Sequence, residues 1–200
     1  YLAKDKFRIP DKAREVARRV AERGKFKVIN FRNKPELLRY AKKIGEAYNK
    51  TFVNNWEYWP MTEREIQYVV DTILLVAVPR LIKLIAYNDD VVGFLFGFPD
   101  ISAALKRHGG KLNPISIGDI LIELNRTKMV SLNGAGVLPE YQGRGGNALM
   151  YYEMEKTLLD SKYSHGELTQ VAETAVQMRK DLITAGGVPY KNHRVFRRAV

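Results

Sequence analysis

The sequence predicts an α/β domain in which a β-sheet is flanked by helices, and three observations support this class. The chain of 200 residues is long enough for one domain with a sizeable core, and 46% of its residues are apolar. Segments with the alternation typical of strands are interspersed with segments of helical spacing. A strand ending at Leu138 runs through a glycine-rich loop directly into a helix.

The first half of the chain is predicted to contain three helices and a strand. Helices are indicated by apolar residues that recur every three to four positions, and their ends by capping residues or glycine. Asp11 is placed to cap the first helix and Gly24 to end it, and Thr62 and Glu65 have the spacing of a capping box. The predicted elements are a helix over 11–24, a strand over 25–32, a helix that starts at Pro35 and has inward positions from Leu37 to Tyr48, and a helix after Thr62.

The second half is predicted to open with a hairpin, because Asn88, Asp89 and Asp90 form a turn signal between two strand-like runs. The helix after the glycine-rich loop is predicted to direct Leu149 and Leu159 inward. The elements predicted here are strands over 81–87 and 91–98, helices over 100–107 and 114–127, a strand over 129–138, the helix after the loop, a strand over 167–173, a helix over 175–185 and a last strand over 194–200.

The loop between Leu138 and the following helix is the most informative segment. Gly143, Gly145 and Gly146 fall within four residues and allow the backbone to expose a row of N–H groups. These donors sit where a helix leaves its first N–H groups unsatisfied. The helix dipole and the bare amides both favour negative charge, so the loop is predicted to bind phosphate.

Three sequence patterns compete for this loop. A nucleoside triphosphatase loop requires Lys and then Ser or Thr after its last glycine, but Asn147 and Ala148 stand there. The letters from Gly143 to Ala148 satisfy the dinucleotide pattern G-x-G-x-x-A, yet the loop is spaced off from its strand and no new βαβ unit follows. The third pattern is Val-x-Pro, then an aromatic-Gln pair, then Gly-x-Gly. A glycine-rich turn kept for helix packing is the remaining alternative.

The run from Val137 to Gly145 closely resembles the coenzyme A-binding segment of the GNAT (Gcn5-related) N-acetyltransferases. Asn147 is one departure, since the family usually has Gly or Ala there. The resemblance covers residues 25–200 and implies a central mixed sheet flanked by helices, with acetyl-CoA or another acyl-CoA as co-substrate. The backbone N–H groups around Val137 and Leu138 would bind the pantetheine and the thioester oxygen, with Gly134 and Gly136 leaving the strand uncluttered or forming a β-bulge. The implied cofactor-binding residues are Val137, Leu138, Gln142, Gly143, Arg144, Gly145, Gly146, Asn147, Ala148 and Met178.

The closing segment resembles a bacterial branch of this family whose members have two GNAT-like halves. The similarity lies in the residues from Glu173 to Phe196 and in the run from Asn55 to Thr62. It implies that residues 1–24 are a linker helix, that residues 25–200 are a GNAT-like domain, and that a preceding GNAT-like domain is a partner.

The residues that move protons are less clearly marked. Glu173, at the end of a predicted strand, and Glu123, before the CoA strand, are the candidate general bases. Many family members use a tyrosine of the last helix as general acid, but Leu182 stands at that position, Ala175 replaces a frequent asparagine, and Tyr190 is the candidate substitute. The predicted function is an acyl-CoA-dependent N-acyltransferase acting on a small-molecule or peptide amine. The alternative is a degenerate domain that binds CoA or a partner without turnover.

Composition limits the other function classes. The net charge of +11 would attract anions, but the basic residues are spread over several helices without a known nucleic-acid motif, so nucleic acid is not predicted as the main partner. The absence of cysteine excludes disulfides and a cysteine acyl-enzyme and suits a cytoplasmic protein. The three histidines lack ligand spacing, so no metal is expected, and no apolar run is long enough for a membrane span.

A dense aromatic patch lies between two predicted helices. It consists of Trp56, Tyr58 and Trp59. In the family this loop borders the acceptor cleft, which would make the patch part of an apolar substrate pocket. An ordinary core contact beneath a long loop is the alternative.

Overall fold

A six-stranded sheet is the framework of the computed structural model, which describes residues 1–53, 58–169, 171–194, 196 and 198. The order of strands across the sheet is β1-β6-β5-β4-β3-β2. Neighbouring strands are antiparallel except β5 and β6, which are parallel. The strands are β1 (Leu2–Ala3), β2 (Phe26–Asn30), β3 (Ile82–Tyr87), β4 (Asp90–Pro99), β5 (Met129–Val137) and β6 (His165–Leu168).

Helices cover both faces of this sheet. Helix α1 packs against α7 on one face, and α3 packs on β4 from the other. None of the helices in the described ranges is both long and apolar enough to cross a lipid bilayer. The helices are α1 (Asp11–Arg23), α2 (Lys34–Arg39), α3 (Ala41–Phe52), α4 (Glu63–Val76), α5 (Ser102–Arg107), α6 (Pro114–Arg126), α7 (Gly146–Leu159) and α8 (Val176–Thr184).

Two hydrophobic clusters lie on opposite faces of the sheet because successive side chains of a strand point to opposite sides. Ile85 and Leu95 belong to the cluster beneath α1 and α7. Leu84 and Phe94, one position away on the same strands, belong to the cluster beneath α2 and α3. The central strands are therefore apolar on both faces, as expected for a sheet covered by helices on each side.

The first 24 residues contribute to the same core. Strand β1 pairs with β6, and Leu2 and Ile9 lie in the cluster beneath α1 and α7. The carboxylate of Glu155, a fully buried residue of α7, accepts hydrogen bonds from the Arg14 guanidinium at 2.5 Å and the Ile9 N–H at 3.3 Å. A boundary at residue 24 between a linker and a domain stays a prediction, but these contacts join the two segments closely.

Several local predictions for the first half are confirmed and two are wrong. Thr62 and Glu65 form the capping box, and Gly24 ends α1 with a φ of 69°. Asp11 does not cap α1: Pro10 is the N-cap residue, and Asp11 lies in the first turn. The helix predicted from Pro35 is divided into α2 and α3 at Tyr40, with the Asn33 side chain capping α2.

The hairpin between β3 and β4 is also confirmed. Asn88 and Asp89 form its two-residue turn with φ values of 48° and 73°. Two successive left-handed residues match the right-handed twist of the flanking strands, and Asn and Asp tolerate this conformation better than most residues.

The C-terminal predictions need more correction. The strand predicted over 167–173 is β6, which covers His165–Leu168. Leu159 is 38% exposed, and its neighbour Leu158 is buried instead. Of the strand predicted over 194–200, residues 195, 197, 199 and 200 lie outside the described residues, and residues 194, 196 and 198 form no strand.

Candidate functional site

The glycine-rich loop presents a row of unpaired N–H donors at the start of α7. Gly143 and Gly145 have left-handed φ values of 71° and 87°, and Gly145 is the N-cap residue without a side-chain cap. Within the described chain, the N–H groups of residues 143–148 donate to no backbone or side-chain acceptor. The first hydrogen bond that closes a turn of α7 is from the Leu149 N–H to the carbonyl oxygen of the N-cap residue Gly145, at 3.2 Å. This is the geometry that binds phosphate oxygens.

Each glycine of the loop has a different surrounding. An ideal Cβ on Gly143 would meet nothing within 4 Å, so this position faces open space. A Cβ on Gly145 would lie 2.7 Å from Val20 and 2.9 Å from Val16, both residues of α1. Gly145 is therefore required by φ and by packing, whereas the backbone of Gly143 is open to a ligand.

The end of β5 turns some of its backbone groups away from β4. The Leu138 N–H donates to the Val92 oxygen across the sheet at 2.8 Å, so this group, predicted to bind CoA, is already occupied. Backbone groups alternate in direction along a strand, so those of Val137 point to the other side. The Gln142 side-chain amide confirms the direction by donating to the Val137 oxygen at 2.9 Å.

Strands β5 and β6 part before they reach the glycine loop. They pair in parallel from Met129 opposite His165 to Leu132 opposite Leu168, and beyond this pair β6 ends. The register between β4 and β5 shifts around Gly134, whose φ is 100°, so the β-bulge alternative is confirmed for Gly134, whereas Gly136 pairs in register with Phe94. Residues 133–137 consequently form a strand edge without a described partner from β6, and this edge leads into the donor row.

Aromatic side chains line the neighbouring face of β5. An ideal Cβ on Gly136 would lie 2.4 Å from the Thr51 methyl group and 3.1 Å from the Phe94 ring. The Phe94 ring stacks on Phe96 and Tyr48, with centroid distances of 4.7 and 5.4 Å. The Thr51 hydroxyl oxygen is buried and has no hydrogen-bond partner among the described residues. A buried hydroxyl without a hydrogen-bond partner costs about 1–3 kcal/mol of stability.

The aromatic patch predicted between α3 and α4 is only partly described. Trp56 lies outside the described residues. The Tyr58 ring packs 6.1 Å from that of Phe52, and its hydroxyl donates to the Asn49 side chain at 2.6 Å. Trp59 is 84% exposed. Tyr58 therefore extends the group of packed rings formed by Tyr48, Phe52 and Phe94, whereas Trp59 lies outside it.

The two predicted general bases lie in unfavourable places. Glu123 lies on α6, and its carboxylate accepts a hydrogen bond from Arg107 at 2.6 Å. Glu173 lies in an exposed turn beyond the end of β6, so its predicted place at the end of a strand is wrong. The predicted strand is longer than β6 because the apolar residues Val171 and Ala172 favour a strand, whereas in the structure neither residue lies in one.

Tyr190 instead meets a carboxylate that the sequence reasoning missed. Its hydroxyl donates to the Glu167 carboxylate on β6, and the Lys191 ammonium donates to the same oxygen at 3.2 Å. The Tyr190 hydrogen bond and the Lys191 charge hold the pKa of Glu167 below its usual value, so this carboxylate is ionised at neutral pH. Glu167 precedes by one residue the point where β5 and β6 part. Only its place on a short parallel strand could have marked it.

The remaining predicted cofactor residues are spread around the loop. Gln142, Arg144 and Asn147 are exposed, and the Arg144 guanidinium lies 5.5 Å from the centre of the Tyr141 ring. Ala148 is half-buried against the core. Met178 lies on α8, where its sulfur is 3.8 Å from the hydroxyl of Tyr151, whose pKa is raised to about 12 by burial. Among the described side chains, no group of three or more His, Asp or Glu residues is arranged to hold a metal ion.

Comparison of sequences gives distant relatives. No family model matches the chain. It is 24% identical over 195 residues to a bacterial ceramide synthase of Caulobacter vibrioides (strain NA1000 / CB15N), covering 93% of this chain and 50% of that protein. It is 26% identical over 165 residues to protein YghO of Escherichia coli (strain K12), covering 78% of this chain and 42% of that protein. The chain thus spans about half the length of the curated relatives it matches.

Comparison of structures identifies the fold. The aminoglycoside acetyltransferase AAC(6')-Iy, solved in complex with the bisubstrate analogue CoA-S-monomethyl-acetylneamine, matches with a TM-score of 0.51 at 10% identity, over 88% of this chain and 97% of that one. A putative acetyltransferase from Agrobacterium tumefaciens str. C58 matches with a TM-score of 0.51 at 13% identity, over 86% of this chain and 99% of that one. The chain has the GNAT fold: a mixed six-stranded sheet flanked by helices.

Proposed function

We propose that this domain transfers an acyl group from acyl-CoA to the nitrogen of an amine. The observation that carries the proposal is the continuous path from the open edge of β5 to the unpaired N–H groups of residues 143–148. The domain shares its fold with an acetyltransferase solved with a CoA-containing bisubstrate analogue. That likeness supports the fold, and the donor row supports acyl-CoA as the ligand.

The residues present fit the phosphate end of CoA. Three or four charge-assisted hydrogen bonds from the loop backbone, each contributing about 1.5–3 kcal/mol, suffice to hold a pyrophosphate. The missing side chain of Gly143 gives the phosphate oxygens access to the N–H groups. Further along β5, the Val137 N–H faces the side from which β6 has parted, where it would bind the pantetheine arm, so that the thioester would lie further along this open edge, towards the end of β6.

The reaction requires one proton to leave the nitrogen and one to reach the sulfur. The neutral amine attacks the thioester carbonyl, a C–N bond forms, the C–S bond breaks and the sulfur leaves as a thiolate. In our proposal the ionised Glu167 accepts the proton from nitrogen, directly or through water; Tyr190, which donates to Glu167, gives its own proton to the thiolate and recovers one from the protonated Glu167. Glu167 thus replaces Glu173 and Glu123 as the proposed base.

A long-chain amino alcohol is the acceptor class that we favour. A ceramide is the amide of a fatty acid with such an amine, and the Caulobacter relative bears the name of ceramide synthase. The half-buried rings of Phe96 and Tyr48, which stack on the buried Phe94 beside Gly136, are suited to an apolar chain rather than to a charged sugar or peptide. The other half of a ceramide is a fatty acid, so we extend the proposal to a long-chain acyl-CoA as the co-substrate.

Calorimetric titration of the 200-residue chain with acetyl-CoA, a long-chain acyl-CoA and free CoA tests the proposal. We expect micromolar binding with a stoichiometry near one. Product formation is then measured with amino alcohols of increasing chain length and with an aminoglycoside. Binding without turnover of any amine would favour the alternative of a degenerate domain, for which Leu182 and Ala175 already provide an argument. Absence of binding to all three ligands would contradict the proposal.

The substitution Glu167→Gln tests the proposed base. We expect kcat to fall about 10²- to 10⁴-fold while the dissociation constant for acyl-CoA is unchanged, because only proton transfer is lost. Glu173→Gln is the matched control, since Glu173 is exposed and lies beyond β6, and it should retain full activity. A Glu167→Gln variant with wild-type kcat, or an equal loss in both variants, would contradict the assignment.

A further inference from the structure

We propose that the N-terminal helix α1 binds the 3′-phosphate of acyl-CoA through Arg23 and Arg19. This inference rests on the proposed function and assigns a role to a segment outside the part of the chain that resembles the GNAT family. The ligand chemistry is specific: CoA carries a pyrophosphate and, on its ribose, a separate phosphate monoester. The donor row at 143–148 provides for the first, and a second set of positive groups is needed for the other.

Helix α1 lies directly against the phosphate-binding loop. Val16 and Val20 are the side chains that an ideal Cβ on Gly145 would meet, at 2.9 and 2.7 Å. At the start of β2, three residues after α1 ends, the Phe26 ring lies 3.4 Å from an ideal Cβ on Gly146 and packs against Tyr141, with centroids 6.4 Å apart. The last turn of α1 is therefore held beside the first turn of α7.

Helical geometry places two arginines on this side of α1. Successive residues are rotated by about 100°, so positions 16, 19, 20 and 23 share one side of the helix. Arg19 and Arg23 lie on one side of the two valines that contact the loop, Arg23 next to Val16 in angle, and both are exposed. Arg18 lies on the opposite side of α1, about 160° from each valine. The helix thus presents two guanidinium groups beside the loop and one away from it.

The charges around these arginines leave them able to bind an anion. Arg19 is paired with Glu15, and Arg18 with Glu22 at 3.9 Å, on the exposed surface. Among the described residues, Arg23 has no carboxylate within ion-pair distance. Glu140 precedes the loop, and Arg144 within it offsets that charge. Exposed pairs such as Arg19–Glu15 are weak, so a phosphate with several acceptor oxygens can displace the carboxylate.

Titration with two ligands isolates the contact. Free CoA and dephospho-CoA differ only in the 3′-phosphate, so the ratio of their dissociation constants measures what that phosphate contributes. In the double variant Arg19→Gln/Arg23→Gln we expect about tenfold weaker binding of CoA and unchanged binding of dephospho-CoA. The control Arg18→Gln should change neither constant, and thermal unfolding of all variants should be unchanged because the three side chains are exposed.

The outcomes are distinguishable. An equal loss of affinity for both ligands, unchanged affinity for CoA, or the same loss in Arg18→Gln would overturn the assignment to the 3′-phosphate while leaving CoA binding intact. Failure of the unsubstituted chain to bind either ligand would overturn the assignment together with the proposed function.

Discussion

Replacing Gly143 by aspartate is expected to weaken the binding of acyl-CoA by about 100-fold or more, since like charges brought together at a binding site cost several kcal/mol. The position faces open space within the donor row, so the chain has room for the new side chain. The carboxylate would then occupy the proposed site of the phosphate oxygens and accept the hydrogen bonds that the loop N–H groups would otherwise donate to phosphate. The loss is measured by calorimetric titration with acyl-CoA.

Gly143→Asn is the matched control for this variant. Asparagine has the same shape as aspartate without its charge, and both residues tolerate the left-handed conformation that Gly143 adopts, with a φ of 71°. We expect Gly143→Asn to lose much less affinity than Gly143→Asp, because it occupies the same space without the like charge, with both variants unfolding at similar temperatures. Equal affinities in the two variants would refute a phosphate site at this loop. Gly145 is unsuitable for the test, because a side chain there would collide with Val16 and Val20 and disturb the fold.

The second large effect is on stability. Arg14→Leu is expected to lower the free energy of unfolding by about 3–5 kcal/mol, the usual cost of leaving a buried charge without its partner. Glu155 is only 1% exposed, and its carboxylate accepts hydrogen bonds from Arg14 and from the Ile9 N–H. The variant would keep the Ile9 bond, which cannot compensate for a full charge. Urea denaturation gives the change from the transition midpoint and slope.

Two further variants separate the buried ion pair from general effects. Arg18→Leu removes the same charge from the same helix, but its pair with Glu22 is exposed and should contribute within about 1 kcal/mol. The double variant Arg14→Leu/Glu155→Leu should recover much of the stability, because the uncompensated carboxylate is gone. If Arg14→Leu were no less stable than Arg18→Leu, the contact between α1 and α7 would not contribute to stability as we argue.

This pair also bears on the role of the N-terminal segment. The boundary after residue 24 stays a prediction; in the structure β1 pairs with β6, and α1 contacts α7 through Glu155 and the glycine loop through Val16. A segment so connected stabilises the helix whose N-terminus presents the donor row. A loss of α1 packing would therefore reduce acyl-CoA affinity as well as stability.

The sequence by itself determined the features that depend on a few consecutive residues. These features are the capping box of Thr62 and Glu65, the turn at Asn88 and the glycine loop. Each can be predicted locally, because a side-chain cap or a left-handed φ requires particular residues at fixed offsets. The order of most elements followed from these signals together with apolar periodicity, and the resemblance of the loop to the GNAT family predicted the fold, which is confirmed.

Only the tertiary structure decided which groups meet. Three hydrogen bonds join residues that are far apart in the chain: Tyr190 donates to Glu167, and Arg14 donates to Glu155. The Leu138 N–H donates to the Val92 oxygen. The length of β6 was decided in the same way, since a strand exists only where a neighbour supplies its hydrogen bonds: among the described residues, the last backbone bond to β5 is from the Thr169 N–H to the Leu132 oxygen, one residue past Leu168. Local propensity carries no information on such partners, so the sequence located the glycine loop, whereas the residues that we propose for proton transfer were found only through the fold.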